Sequence, residues 1–269
     1  VPTMDEFLDR VLQNGSTLGF DGRVISMSEG IHYSEKFAYK NIKIEDKYDL
    51  IDAIWEDRPA MSDAPLFYLE EKYTGESIAS KLNRVRESMK ANGASVHLLI
   101  TLDDIAWLLN MRGRDVMYTP VFLSYAAITM DSVHLFIDER KLSVELKDIL
   151  AKDNIVLHPY NDIYSFTANL SNEEAVLLDS ARLNFALYNS IPEGAKIIKS
   201  FKHFEGNKRK LEEMQTAASR VIQADKIEGY IYFSVHPLDF LSLSENAHNW
   251  RSCHALDHDY RAGNLSYMC

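Results

Sequence analysis

Apolar positions in the first 200 residues switch repeatedly between helical and strand spacing. Phe7, Leu8, Val11 and Leu12 follow Thr3 and Glu6, a Ser/Thr-x-x-Glu pair able to satisfy the first backbone donors of a helix. Asn14-Gly15 supplies the stop. A short apolar run at Thr17–Phe20, a helical pattern over Ser28–Tyr39 and a second run at Ile42–Ile44 then give strand, helix, strand, the order of a parallel pairing. Between Glu56 and Gly75 the pattern dissolves into turn-forming residues, and Pro59 and Pro65 each remove a backbone donor. A boundary is expected there.

Periodicity returns with Ile78, Leu82, Val85 and Met89 on one helical face, closed by Asn92-Gly93 and followed by a strand at Val96–Ile100. Thr101 and Asp104 resemble a helix N-terminal cap ahead of Ile105, Trp107, Leu108 and Leu109, and Asn110–Asp115 reads as a loop. Val121–Met130 and Val133–Ile137 predict a hairpin turning at Asp131-Ser132. Helices near Leu142–Leu150, Ile163–Leu170 and Asn184–Tyr188 alternate with strands at Ile155–His158, Val176–Leu178 and Lys196–Ile198. The sum is a mixed α/β fold with a mostly parallel sheet.

At 269 residues the chain exceeds the roughly 100–200 of one domain, so two units and a partial third are expected. Val1 is neither an initiator Met nor part of a signal peptide, which suggests a start within a longer protein. No window approaches the roughly 20 apolar residues of a membrane span. A net charge of −11 would repel phosphate backbones, so nucleic acid is disfavoured as a partner and Lys208-Arg209-Lys210 reads as a solvated helix face. Two cysteines, Cys253 and Cys269, make no disulfide framework and suit a reducing compartment, with cytoplasm the expectation.

The run Thr101-Leu102-Asp103-Asp104-Ile105-Ala106-Trp107-Leu108-Leu109-Asn110-Met111-Arg112-Gly113-Arg114-Asp115, followed by Pro120–Ala126, closely resembles the middle domain of three-domain Xaa-Pro aminopeptidases. Ile54–Pro59 resembles that family's junction between first and second domains, and Leu178-Asp179 through Asn189–Pro192 the end of the second. The resemblance covers about residues 1–200. It implies creatinase/prolidase N-terminal-like units, each a mixed sheet flanked by helices. The expected division is the C-terminal part of a first unit at 1–58, a linker at 59–75, a second unit at 76–200 and an unrelated or divergent small α+β tail at 201–269. The family releases an N-terminal residue that precedes proline, using two divalent metals, usually manganese, held by carboxylates and a histidine in a C-terminal domain. Nothing after Ser200 matches those ligand motifs. The chain is therefore expected to be a non-catalytic region of such an enzyme, with short Xaa-Pro peptides as the whole family's substrates and with no catalytic residue or metal ligand of its own. A non-catalytic peptide- or partner-binding module is the alternative. Oligomeric state stays open.

Arg112 is the candidate for the rim of a substrate pocket, where its guanidinium could orient a peptide carboxylate or carbonyl. Its other reading is an ion pair with Asp115 or Asp103. Asp103, Asp104 and Asp115 offer carboxylates near one loop but no local histidine, which favours helix capping by Asp103 or Asp104 over metal binding. Trp107, set among Ile105, Leu108 and Leu109, reads as core. Beyond about Phe201 the texture changes, and stretches such as Ser234–Phe240, Asn249–His254 and Tyr260–Met268 are similar to uncharacterised bacterial or phage-associated proteins. That likeness suggests a segment of different origin. His236, His248, Cys253, His254 and His258 could suggest a zinc site or a cysteine nucleophile, but their spacing fits no recognised motif, and a histidine-rich surface segment is the plainer reading.

Overall fold

The structure, a computed structural model, describes residues 2–199. Its first helix, α1 (Met4–Val11), carries the expected capping box: the Thr3 hydroxyl accepts from the Glu6 amide and the Glu6 carboxylate accepts from the Thr3 amide. Strands β1 (Thr17–Gly19) and β2 (Lys43–Glu45) pair in parallel around α2 (Met27–Lys36). A second capping box, Ser26 with Glu29, starts α2; the sequence reading missed it and began the helix at Ser28.

The remaining elements build a larger layer. Strand β3 (Phe67–Tyr68) and the one-turn α3 (Glu71–Thr74) fall inside the 59–75 stretch expected as a linker. Then follow α4 (Ile78–Ala91), β4 (Val96–Leu99), α5 (Leu102–Leu108), β5 (Met111–Arg112), β6 (Tyr125–Ile128), β7 (Val133–Phe136), α6 (Val144–Lys152), β8 (Ile155–His158), α7 (Asp162–Ala168), β9 (Ala175–Leu178), α8 (Phe185–Ser190) and β10 (Lys196–Lys199). Six strands form one sheet in the order β10-β9-β4-β6-β7-β8. Pairings β10–β9, β9–β4 and β7–β8 are parallel, whereas β4–β6 and β6–β7 are antiparallel. The sheet is mixed, as its hairpin requires.

Alternate side chains of this sheet feed two cores, one on each face, which is why its central strands read as almost unbroken apolar runs. Leu99, Ala126, Ile128, Val133 and Leu135 meet α4 and α6 through Leu82, Val85, Met89, Leu146 and Leu150. Val96, Leu98, Ala127, Phe136 and Val176 meet α7, α8 and α2 through Ile163, Leu187 and Met27. Residues before Met27 are stitched to the region of α8 by backbone bonds: Met27 N donates to Leu183 O at 2.7 Å, Phe185 N to Ile25 O at 2.8 Å and Ala186 N to Gly22 O at 2.9 Å.

The strand expected at Val121–Met130 is shorter. Before Tyr125 the backbone turns away from the ladder to bond the preceding loop: Asp115 N donates to Val121 O at 3.3 Å, and Leu123 N donates to the Asp115 carboxylate at 2.7 Å. Val121 and Phe122 are buried without being in a strand, so hydrophobicity alone misassigned them.

Candidate functional site

A groove of about 390 Å³ opens where β4 gives way to α5. Ile100, Thr101, Leu102 and Asp103 line it from the start of α5, the inner wall; Val116, Thr119 and Val121 line it from the loop after β5, the outer wall; Arg182 completes the lining. The position is the carboxyl end of β4, beside its parallel neighbour β9, where open α/β sheets commonly leave a crevice for ligands. Its walls are mainly aliphatic, with one carboxylate and one guanidinium, an amphoteric lining suited to a small ligand carrying both polar and apolar groups.

The outer wall is a narrow turn held by an isolated bridge between Val116 and Thr119. At its tip Tyr118 adopts a left-handed backbone (φ 62°), and Met117 and Tyr118 are 76% and 78% exposed. The turn is anchored below. Asp115 and Lys141 are in contact as an ion pair with both side chains fully buried, and the Lys141 carbonyl accepts from Leu66 N at 3.0 Å. Gly113 sits where a Cβ would lie 2.7 Å from Phe122 Cβ and 2.9 Å from Val121 O, so only glycine allows this packing.

The inner wall rests on a second buried cation. Lys81 Nζ donates to Trp107 O at 2.7 Å and Asn110 Oδ1 at 2.5 Å, and lies 4.6 Å from the Trp107 ring centroid. Asn110, also left-handed (φ 52°) and fully buried, donates to Glu76 O at 2.9 Å. Arg84, paired with Glu76 at 2.5 Å, lies 5.5 Å from the same indole. Trp107 is half-buried and packs against the core rather than within it, and it is also a platform for two protein cations. The sequence reading overlooked Lys81, although a lysine within the stripe of Ile78, Leu82 and Val85 signals a buried, partnered charge.

Arg112 lies on β5, opposite Phe67. Its Nη1 donates at 2.8 Å to both Ala106 O and Met111 O, so it closes the carbonyl end of α5. Burial pushes its pKa down to about 10. The expected pairing with Asp115 is not formed, because Lys141 holds that carboxylate; nor does Arg112 line the groove. The cap expected at Thr101 also differs. Thr101 occupies the N-cap position without a side-chain bond to the helix backbone, and its hydroxyl donates instead to the Asp104 carboxylate. Asp103 and Asp104 remain in the first turn, where negative charge is favourable.

Among the described residues, no group of three or more His, Cys, Asp or Glu side chains is arranged to hold a metal ion. Asp104 and Asp115 are bonded to Thr101 and Lys141 rather than converging with Asp103. No helix among those residues is long and apolar enough to cross a membrane. The histidines and cysteines of the tail lie outside the described residues.

Comparison with known proteins agrees with this architecture. A family model described as Creatinase/Prolidase N-terminal domain matches residues 57–210, running past the seam expected near Phe201. Xaa-Pro aminopeptidase 1 of Dictyostelium discoideum is 35% identical over 201 residues, covering 71% of this chain and 32% of that protein. Aminopeptidase P2 of Arabidopsis thaliana is 35% identical over 194 residues, covering 71% and 27% respectively. The crystal structure of X-prolyl aminopeptidase from Caenorhabditis elegans, described as a cytosolic enzyme with a di-nuclear active site, superposes with a TM-score of 0.69 at 30% identity, covering 74% of this chain and 34% of that one. The chain thus spans about a third of the length of these relatives. Its matched span, more than half of the sequence, makes the chain a member of the creatinase/prolidase N-terminal domain family.

Proposed function

We propose that this chain is a non-catalytic N-terminal and middle region of an Xaa-Pro aminopeptidase, whose groove beside Asp103 and Arg182 forms one wall of the path taken by short peptides. In the whole enzyme the reaction would be metal-dependent release of an N-terminal residue that precedes proline, with two divalent metals, manganese being the proposed ion, held outside residues 2–199. A cytoplasmic location belongs to the same reading and is supported by the description of the Caenorhabditis elegans relative. The carrying observation is how the carboxylates around the loop are used: Asp115 braces the outer wall through Lys141 and Leu123, and Asp104 is held by Thr101. These are framework bonds that fix the walls of the groove. Arg112, its Nη1 fixed on α5, would serve the rim by keeping the base of the loop in place.

A binding module is the second reading, favoured by Met117 and Tyr118, which stand exposed beside the groove. Isothermal titration of the purified chain with an Xaa-Pro dipeptide separates the two. One wall alone should yield little heat, because binding must first offset the lost freedom of the ligand. Saturable binding that Asp103→Asn weakens would favour the module.

A further inference from the structure

On the far side of the sheet from α4, His134 of β7 and His158 of β8 form a close imidazole pair. His134 Nδ1 and His158 Nε2 share a hydrogen bond of 2.9 Å, one ring donating to the other, which an ion would replace. Two nitrogens bound to one metal at about 2.0–2.1 Å stand about 2.9 Å apart at a 90° angle and about 3.4 Å apart at the tetrahedral angle of zinc, so a shared zinc ion would part these rings by roughly 0.5 Å. We propose that His134 and His158 form a two-imidazole site for a divalent transition metal ion such as zinc, nickel or copper, with water completing the coordination.

The surroundings resemble those of a prepared ligand pair. Phe136 stacks on His158 (ring centroids 4.9 Å apart, planes 23° apart), and Phe166 of α7 lies 4.7 Å from the His134 ring, so both imidazoles are already ordered before an ion arrives. Ser132 Oγ is 3.2 Å from His134 Nε2, the nitrogen pointing away from the pair. A His134 tautomer with its proton on Nε2 donates to that oxygen and leaves Nδ1 free to coordinate, an outer-shell arrangement that fixes a metal-binding histidine. A His158 tautomer with its proton on Nδ1 presents Nε2 to the same ion. Both rings are half-buried and β8 is the edge strand, which gives an ion access. Asp131, at the hairpin turn, adds negative potential at His134 that offsets the incoming charge.

Zinc titration of the full chain, followed through the ring nitrogen and carbon-bound proton resonances of each histidine by NMR, tests the site. Resonances of both His134 and His158 should shift together and saturate. His158→Gln should abolish the shift at His134, and Ser132→Ala, which keeps both ligands, should weaken binding about tenfold. A Cys253→Ser/His254→Gln/His258→Gln variant should leave the shift intact. Resonances of the pair that stay still under excess zinc, that move equally in His158→Gln, or that move only when the tail residues are present would overturn the proposal.

Discussion

Asp115 and Lys141 meet as an ion pair with neither side chain reaching solvent, joining the outer wall of the groove to the turn that precedes α6. One Asp115 oxygen accepts from Leu123 N and receives the lysine, while Oδ1 has no hydrogen-bond partner among the described residues. Lys141→Met should therefore cost about 3–5 kcal/mol, because it leaves a carboxylate buried without a cation. Asp115→Leu/Lys141→Met should recover most of that loss, since removing both charges removes both desolvation penalties. Urea unfolding midpoints of the three proteins check this order.

Asn110 combines two demands, a left-handed backbone and an acceptor for Lys81. Asn110→Ala fails both and should destabilise by about 2–4 kcal/mol. Asn110→Gly restores only the backbone freedom and should be less damaging by roughly 1 kcal/mol. Calorimetric melting of both variants at one pH distinguishes the two contributions.

Gly30 of α2 faces the Phe185 ring so closely that a Cβ would overlap it. Gly30→Ala should cost about 1–3 kcal/mol through overpacking. The damage should be local: hydrogen exchange should quicken at the Met27 and Phe185 amides, which cross this contact, while the β4–β9 ladder keeps its protection. Equal loss of protection throughout would show that the contact is not a separable seam.

Alkaline stability carries two opposed signals. Burial raises the pKa values of Tyr125, Tyr160 and Tyr164, which cluster beside α7. Above about pH 10 the folded chain therefore holds more phenolic protons than the unfolded chain, and stability, complete below that pH, falls as pH rises. Arg112, lowered by burial to about 10, acts in the other direction: above that pH the unfolded chain binds the extra proton, which adds stability. Tyr125→Phe/Tyr164→Phe should flatten the alkaline fall, and Arg112→Met should steepen it. Urea midpoints between about pH 8 and 11 measure both slopes.

Much of this architecture was legible because local signals agree with it. The apolar stripe of α4, the box at Thr3 and Glu6 and the alternation of short strands with helices each fix an element without reference to the rest. Contacts made across long stretches of chain were not legible. Lys141 reaches Asp115 from 26 residues away, and no local signal announces that bond. The same loop draws Val121 and Phe122 out of the ladder, and β3 pairs with β5 across the whole of α4, β4 and α5. The groove is lined by three separated segments, so the sequence reading, which weighed Asp103 as a metal ligand or helix cap and chose Arg112 for the rim, could not bring Asp103 and Arg182 to one groove.

The proposed role, framing a peptide path without cleaving peptides, is tested by incubating the purified full chain with manganese and an Xaa-Pro peptide, with and without a chelator. No release of the N-terminal residue is expected in either condition; sustained release that the chelator abolishes would contradict the proposed non-catalytic role.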